Sequence, residues 1–207
     1  MSQPSHPGKP VVTPLRVLIV EDDVAVAKGF EMILSRAGYD VIGLAYDGRA
    51  AVEMARSLRP HLILMDIKMP HMDGLEAARI INGELPSGFI PIVLVTAFAD
   101  LPLVHRAKRC GVLGYLIKPV QLEDLVPALE LAHGAAQKIN ALEGAVDNLS
   151  EELETRKLVE RAKGILMKQM HIDEGEAMRL LQKESRRQRI KLKTLASAII
   201  SSSSVPR

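Results

Sequence analysis

Tryptophan is absent from this 207-residue sequence, and tyrosine and phenylalanine occur only three times each. A hydrophobic core must therefore be built from aliphatic side chains, which are plentiful enough, since hydrophobic residues make up 47% of the chain. One cysteine, Cys110, excludes an internal disulfide. No apolar run reaches the length of a membrane span, and none resembles a secretory h-region. A soluble chain in a reducing cytoplasm, without a membrane partner, is the expectation. The formal net charge of +2 leaves no strong bias of one sign overall, but it conceals an asymmetry. Residues 1–150 carry 14 basic and 17 acidic side chains, whereas 151–207 carry 13 basic and 8 acidic ones. The C-terminal part is the basic one.

At this length one ordinary domain and a smaller second one are expected. The first 14 residues hold four prolines and the last seven read SSSSVPR, so disordered tails are expected over 1–14 and 201–207. Between them, apolar runs alternate with helix-length spacers: RVLIV (16–20), DVIGLAY (40–46), HLILMD (61–66), PIVLVTAF (91–98) and LGYLIK (113–118). Strands that are apolar throughout and separated by crossover helices indicate a parallel sheet covered on both faces. The predicted fold is a doubly wound α/β domain with a five-stranded parallel sheet.

Ligands of such sheets bind beyond the carboxyl ends of the strands, beside the point where strand order reverses. The first strand ends in EDD, the third in Asp66, the fourth in Thr96 and the fifth in Lys118 followed by Pro119. Singly, these residues are ordinary: loop acids cap helices and lysines are solvated. Together they bring acid, acid, hydroxyl and amine to one rim. Clustered carboxylates repel unless a hard cation neutralises them, and Mg²⁺ prefers oxygen ligands. A carboxylate is also a competent nucleophile toward a phosphoryl group, whose charge a cation and a lysine can share. Asp66, between the apolar run HLILM and the Pro70 and Gly74 that follow, is the candidate acceptor. Asp23, Asp73 and Asp100 are expected to serve as a loop acid, a turn residue and a helix cap.

With these residues, 15–133 resembles the flavodoxin-like receiver domain of two-component response regulators. The resemblance implies that Asp66 is the phosphoacceptor and that a histidine kinase is the phosphodonor. It makes Glu21, Asp22, Asp66 and the backbone carbonyl of Lys68 the Mg²⁺ ligands. Thr96 is then the switch hydroxyl, Tyr115 the switch aromatic and Lys118 the phosphate-binding lysine. It further implies a cis bond between Lys118 and Pro119, and positions at Lys68 and Phe98 that tune the lifetime of the phosphoryl group. Ordinary packing remains an alternative for Tyr115.

Past the receiver, apolar residues step by threes and fours through Leu122, Leu125, Leu129, Ala132, Ala136 and Ile139, then Leu142, Val146, Leu149 and Leu153. This is the spacing of a coiled-coil seam, predicting a helical linker over 134–153 that dimerises through Ile139, Leu142, Val146, Leu149 and Leu153. A helix packed on its own domain has the same spacing. Pro127 fits a helix that begins near Asp124, or marks a kink.

Residues 154–200 read as three short helices, the second opening near Asp173 with an acidic turn that suits the helix dipole. The stretches RKLVERAKGILM, DEGEAMRLLQKES and LASAII resemble the ANTAR domain, an RNA-binding antiterminator module. That resemblance implies a response regulator that binds hairpin RNA in nascent transcripts, as a dimer, and prevents transcription termination. Lys157, Arg161 and Lys163 on the first helix, with Arg186, Arg187, Arg189 and Lys191, are the candidate RNA contacts. No aromatic platform exists in this segment, so recognition is expected to rest on RNA backbone and a few loop bases. A DNA-binding regulator and an adaptor with a protein-binding helical output stay open as alternatives.

Overall fold

A computed structural model of the chain describes residues 14–84, 88–97 and 101–203, except the side chains of 101–104. The N-terminal tail expected over 1–14 falls outside the described residues but for Pro14, and so do Phe98 and Asp100. Contacts divide the chain into two compact units, 1–141 and 142–207.

In the first unit, strands and helices alternate: β1 (Arg16–Val20), α1 (Val24–Arg36), β2 (Asp40–Ala45), α2 (Gly48–Leu58), β3 (Leu62–Asp66), α3 (Gly74–Glu84), β4 (Ile92–Thr96), α4 (Leu101–Arg109), β5 (Val112–Ile117), and then α5, which begins at Leu122. The strands form one parallel sheet in the order β2-β1-β3-β4-β5. Strand order reverses between β1 and β3, so the loops after these two strands flank the crevice where such sheets bind ligands.

The apolar runs supply both faces because side chains alternate along a strand. Leu18, Val20, Ile63, Met65, Ile92 and Leu94 pack on one side with Ala51 and Ala55 of α2 and Ala77, Ala78 and Ile81 of α3. Val17, Ile19, Leu62, Leu64, Val93 and Val95 pack on the other with Phe30 and Leu34 of α1 and Leu125, Leu129 and Ala132 of α5. The first part of the apolar stripe on α5 is thus intramolecular packing. Two polar contacts hold this part of α5 as well. The Tyr39 hydroxyl donates to Glu130 at 2.7 Å. The Asn140 amide accepts from the Phe89 N–H and donates to the Phe89 carbonyl, each at 3.1 Å.

Aspartates fix where the helices start. Asp23 accepts from the N–H groups of Ala25 and Val26 and Asp47 from that of Ala50, as N-cap residues do. Asp73 accepts from the Glu76 N–H at 2.7 Å. Asp23 and Asp73, expected to be a loop acid and a turn residue, are therefore helix caps.

α5 runs without interruption from Leu122 to Met170, 49 residues, with Pro127 inside it. The helix starts two residues before Asp124, so Pro127 lies in the second turn, where its missing N–H removes one backbone bond. The boundaries expected at 133/134 and 153/154 coincide with no break in secondary structure.

The second unit consists of the C-terminal part of α5 with α6 (Glu174–Gln188) and α7 (Leu192–Ser203). Its core is Val159, Ala162, Leu181, Leu195 and Ala196, flanked by Leu158, Leu166, Met178 and Ile199. Asp173 and Glu176 form a reciprocal capping box that starts α6. His171 sits at φ 57°, in the turn that separates α5 from α6. α7 continues to Ser203, so a disordered tail beginning at 201 is incorrect for its first three residues. The hydroxyls of Ser201, Ser202 and Ser203 bond back to the carbonyls of Ser197, Ile199 and Ile200 and so follow the helix.

Candidate functional site

Glu21 and Asp22 leave the end of β1, Asp66 closes β3, and Lys118 stands one residue past β5. The fold brings them to one rim. Carboxylate oxygens of Glu21, Asp22 and Asp66 all lie within 4.8 Å of one another. The Lys118 ammonium donates to Glu21 Oε2 at 2.8 Å and to Asp66 Oδ2 at 2.7 Å. The other oxygen of Asp66 accepts from the Ile67 N–H at 2.6 Å and the Lys68 N–H at 3.3 Å. Lys68 therefore adjoins Asp66 through its backbone, whatever its side chain does.

Three carboxylates against one ammonium leave the ionised cluster two negative charges short of neutrality, a deficit that matches one divalent cation. Glu21 is only 2% exposed. Burial pushes its carboxyl above the usual range, and the Asp66 charge adds to this, while the hydrogen bond from Lys118 acts in the opposite direction. For Lys118 the largest single influence is burial, which disfavours the charged form. The hydrogen bonds to Asp66 and Glu21 and the attraction of both carboxylates outweigh it, so the ammonium is held above its ordinary value. The donor set is all oxygen, which suits Mg²⁺.

Thr96, the last residue of β4, is buried, and its carbonyl accepts from the Lys118 N–H at 2.8 Å. Tyr115 is half-exposed on the edge strand β5. The bond between Lys118 and Pro119 is cis.

One positioning residue escaped the reading of the sequence. Gly74 opens α3 with its N–H donating to the Ile67 carbonyl at 2.9 Å. A Cβ at Gly74 would stand 2.2 Å from the Asp66 carbonyl oxygen. Only glycine lets α3 begin against the backbone that carries Asp66. The dipeptide Asp73-Gly74 was legible as a turn signal, but that close approach was not.

Family models for the response regulator receiver domain and for the ANTAR domain match residues 17–130 and 147–200 respectively. The chain belongs to the response regulators. It is 43% identical over 195 residues to the transcriptional regulatory protein PdtaR of Mycobacterium tuberculosis, covering 94% of this chain and 93% of PdtaR. Among solved structures, the chemotaxis response regulator CheY4 of Vibrio cholerae is 31% identical with a TM-score of 0.54, covering 58% of this chain and 99% of that one. A CheY-like receiver domain protein of Methanospirillum hungatei is 28% identical with a TM-score of 0.56, covering 61% and 98%. This response regulator therefore carries an N-terminal receiver and a C-terminal ANTAR domain. Among its described residues, no helix is long and apolar enough to cross a membrane.

In the ANTAR unit of the regulator, the candidate RNA contacts divide. Lys157, Arg161, Arg186, Arg187, Arg189 and Lys191 are exposed. Arg187 is ion-paired with Glu184 at 2.6 Å yet remains open to solvent. Lys163 is a correction: it is 7% exposed, and its ammonium is held by Glu160 at 2.8 Å and Glu174 at 2.6 Å. Those partners raise its pKa above the ordinary lysine value. A lysine so engaged ties α5 to the start of α6 and is not available to a phosphate. Helical spacing alone placed it beside Lys157 and Arg161 and could not reveal Glu174.

Replacing Lys118 with alanine leaves the buried Glu21 facing Asp66 without compensation. Without divalent cation, the Lys118→Ala regulator should lose roughly 1–3 kcal/mol of stability, less than a fully buried pair would because the ammonium is partly exposed. Urea denaturation at neutral pH measures this, and an unchanged midpoint would count against the ion pair. The same variant should still accept phosphate at Asp66, at a reduced rate.

Proposed function

We infer that this response regulator takes a phosphoryl group on Asp66 and, in that state, binds hairpin RNA in nascent transcripts and prevents transcription termination. The observation that carries the reading is the convergence of Glu21, Asp22, Asp66 and Lys118 on one rim of a receiver whose chain continues into an ANTAR domain.

In the phosphorylation step an Asp66 oxygen attacks the phosphorus of a kinase phosphohistidine. The P–O bond forms as the P–N bond breaks, and the imidazole leaves. Glu21, Asp22, Asp66 and the Lys68 carbonyl would hold Mg²⁺, which when bound neutralises charge on the transferred group. Lys118 exchanges its bond to Asp66 for one to a phosphoryl oxygen. Thr96 donates its hydroxyl to another, and Tyr115 follows that movement from β5.

The output rests on Arg161, Arg186, Arg187, Arg189 and Lys191, exposed cations that can neutralise RNA phosphates. Lys157 is exposed on the same helix as Arg161 and joins them. Leu142, Val146, Leu149 and Leu153, with the half-buried Ile139, offer the surface on which the phosphorylated regulator forms a homodimer. A cytoplasmic, non-enzymatic regulator is the reading these parts support.

The test is a competition assay. Regulator with and without phosphodonor is offered a labelled RNA hairpin against unlabelled hairpin and duplex DNA. Hairpin binding that rises on phosphorylation supports the reading. Preference for duplex DNA would make it a DNA-binding regulator, and no nucleic-acid binding in either state would leave a protein-binding adaptor.

A further inference from the structure

At the end of the sheet opposite the Asp66 rim, the connections that lead into β3 and β4 enclose, together with α5, a cavity of about 230 Å³. Pro60, Ile90, Pro91 and Ala136 give it a buried apolar wall, with Phe89 half-buried beside them. The frame is braced by polar contacts. The Asn140 amide is fully engaged with the Phe89 backbone. The Arg16 guanidinium donates to the carbonyls of Leu58 at 2.8 Å and Arg59 at 3.4 Å, and the Arg16 N–H donates to His61 Nδ1 at 3.2 Å. The cavity is therefore largely pre-formed, as small-molecule sites are.

The polar groups left over are donors. Because Nδ1 of His61 accepts from Arg16, the proton of its neutral ring lies on Nε2. The neighbouring imidazole of His133, with ring centroids 6.5 Å apart, has the opposite tautomer. Its Nε2 stands 3.0 Å from the amide nitrogen of Gln137, which can only donate, so Nδ1 carries the proton. That Nδ1 is buried and has no partner among the described residues. Arg59 is exposed, and its guanidinium has no ion-pair partner among the described residues. No aspartate or glutamate lines the cavity.

One fixed positive charge with two imidazole N–H groups and no carboxylate calls for an anion with oxygen acceptors. The volume lies below the roughly 300 Å³ at which drug-sized sites begin, so the occupant is small. Inorganic phosphate would turn some of its oxygens toward Phe89 and the prolines, which offer no donor. A carboxylate with an apolar remainder satisfies both walls.

We propose that this cavity binds a small organic carboxylate, its oxygens toward Arg59 and His61 and its apolar part against Phe89 and Pro91. The site is independent of the phosphorylation and RNA readings. His133 and Gln137 belong to the last turns of α5 before the receiver unit ends at 141, so an occupant ties the base of the sheet to the helix that leads into the output. The receiver then has an input separate from Asp66.

Titration of the full chain with sodium benzoate tests it, read at the imidazole proton–carbon resonances of His61 and His133. Benzoate at millimolar concentrations should shift both resonances saturably, and benzamide, of nearly the same shape without the charge, should not. Arg59→Gln should keep the parental circular dichroism and weaken benzoate binding about tenfold, the loss expected when a charge-assisted hydrogen bond is removed. Absence of a saturable shift, or an equal response to benzamide, overturns the proposal. Inorganic phosphate that saturates the same resonances at lower concentration overturns the organic carboxylate as ligand class. Parental affinity in the Arg59→Gln chain overturns the placement of the carboxylate.

Discussion

Asp66→Asn should abolish covalent labelling. Incubated with Mg²⁺ and a small phosphodonor, the parent chain is expected to form an acyl phosphate that survives acid and is lost in base, and the variant should show none. The substitution nearly preserves shape: the amide oxygen can still accept from Ile67 N–H and Lys68 N–H, the contacts that orient the side chain. What disappears is the nucleophile and one of the charges shared with Lys118. Intact-mass spectrometry of parent and variant, with hydroxylamine treatment of both, checks the result. Labelling of the variant at the parental level would move the acceptor away from Asp66. Asp22, the exposed acid of the cluster, would then be the next residue to replace.

Replacing Arg186 and Arg187 together by alanine should weaken RNA binding without unfolding the bundle. Both guanidinium groups lie on the exposed side of α6, whereas that helix is held by the buried Ala177 and Leu181 and by the capping box at Asp173. If each arginine neutralises one phosphate, the logarithmic dependence of affinity on salt should become less steep by roughly 1.4–1.8. Titration of a labelled hairpin at several salt concentrations, with far-ultraviolet circular dichroism as control, measures both parts. Phosphorylation then enters by linkage: if it strengthens RNA binding, hairpin RNA must favour the phosphorylated form by the same factor. Strong binding that ignores phosphorylation would keep the RNA contact and remove the switch.

Lys163 shows where reading the sequence reaches its limit for the output. Its spacing from Lys157 and Arg161 marks it as one more cation of a helix face, but Glu174 on the following helix, together with Glu160, takes its charge. Arg161, two residues earlier, stays exposed. Charge can be counted along a chain, whereas availability depends on what the next helix sets opposite.

The receiver was legible for a different reason. A five-stranded parallel sheet follows from apolar runs of strand length separated by helix-length spacers, because burying both faces leaves no room for polar alternation. Once the strands are placed, chain connectivity obliges Glu21, Asp22, Asp66, Thr96 and Lys118 to sit at strand carboxyl ends. The sequence therefore determined the fold class and the residues of the rim, with Asp66 as the candidate acceptor among them. It also determined the phase of the apolar stripe on α5, since helical periodicity is a local property. Tertiary structure alone decided which part of that stripe is used internally: Leu125, Leu129 and Ala132 are buried against the sheet, while Leu142 to Leu153 remain exposed. It decided that Lys118 bridges Glu21 and Asp66, that Gly74 must be glycine to pass the Asp66 carbonyl, and that Lys163 is spoken for. Each of these depends on the separation of groups far apart in the chain, which composition and spacing do not encode.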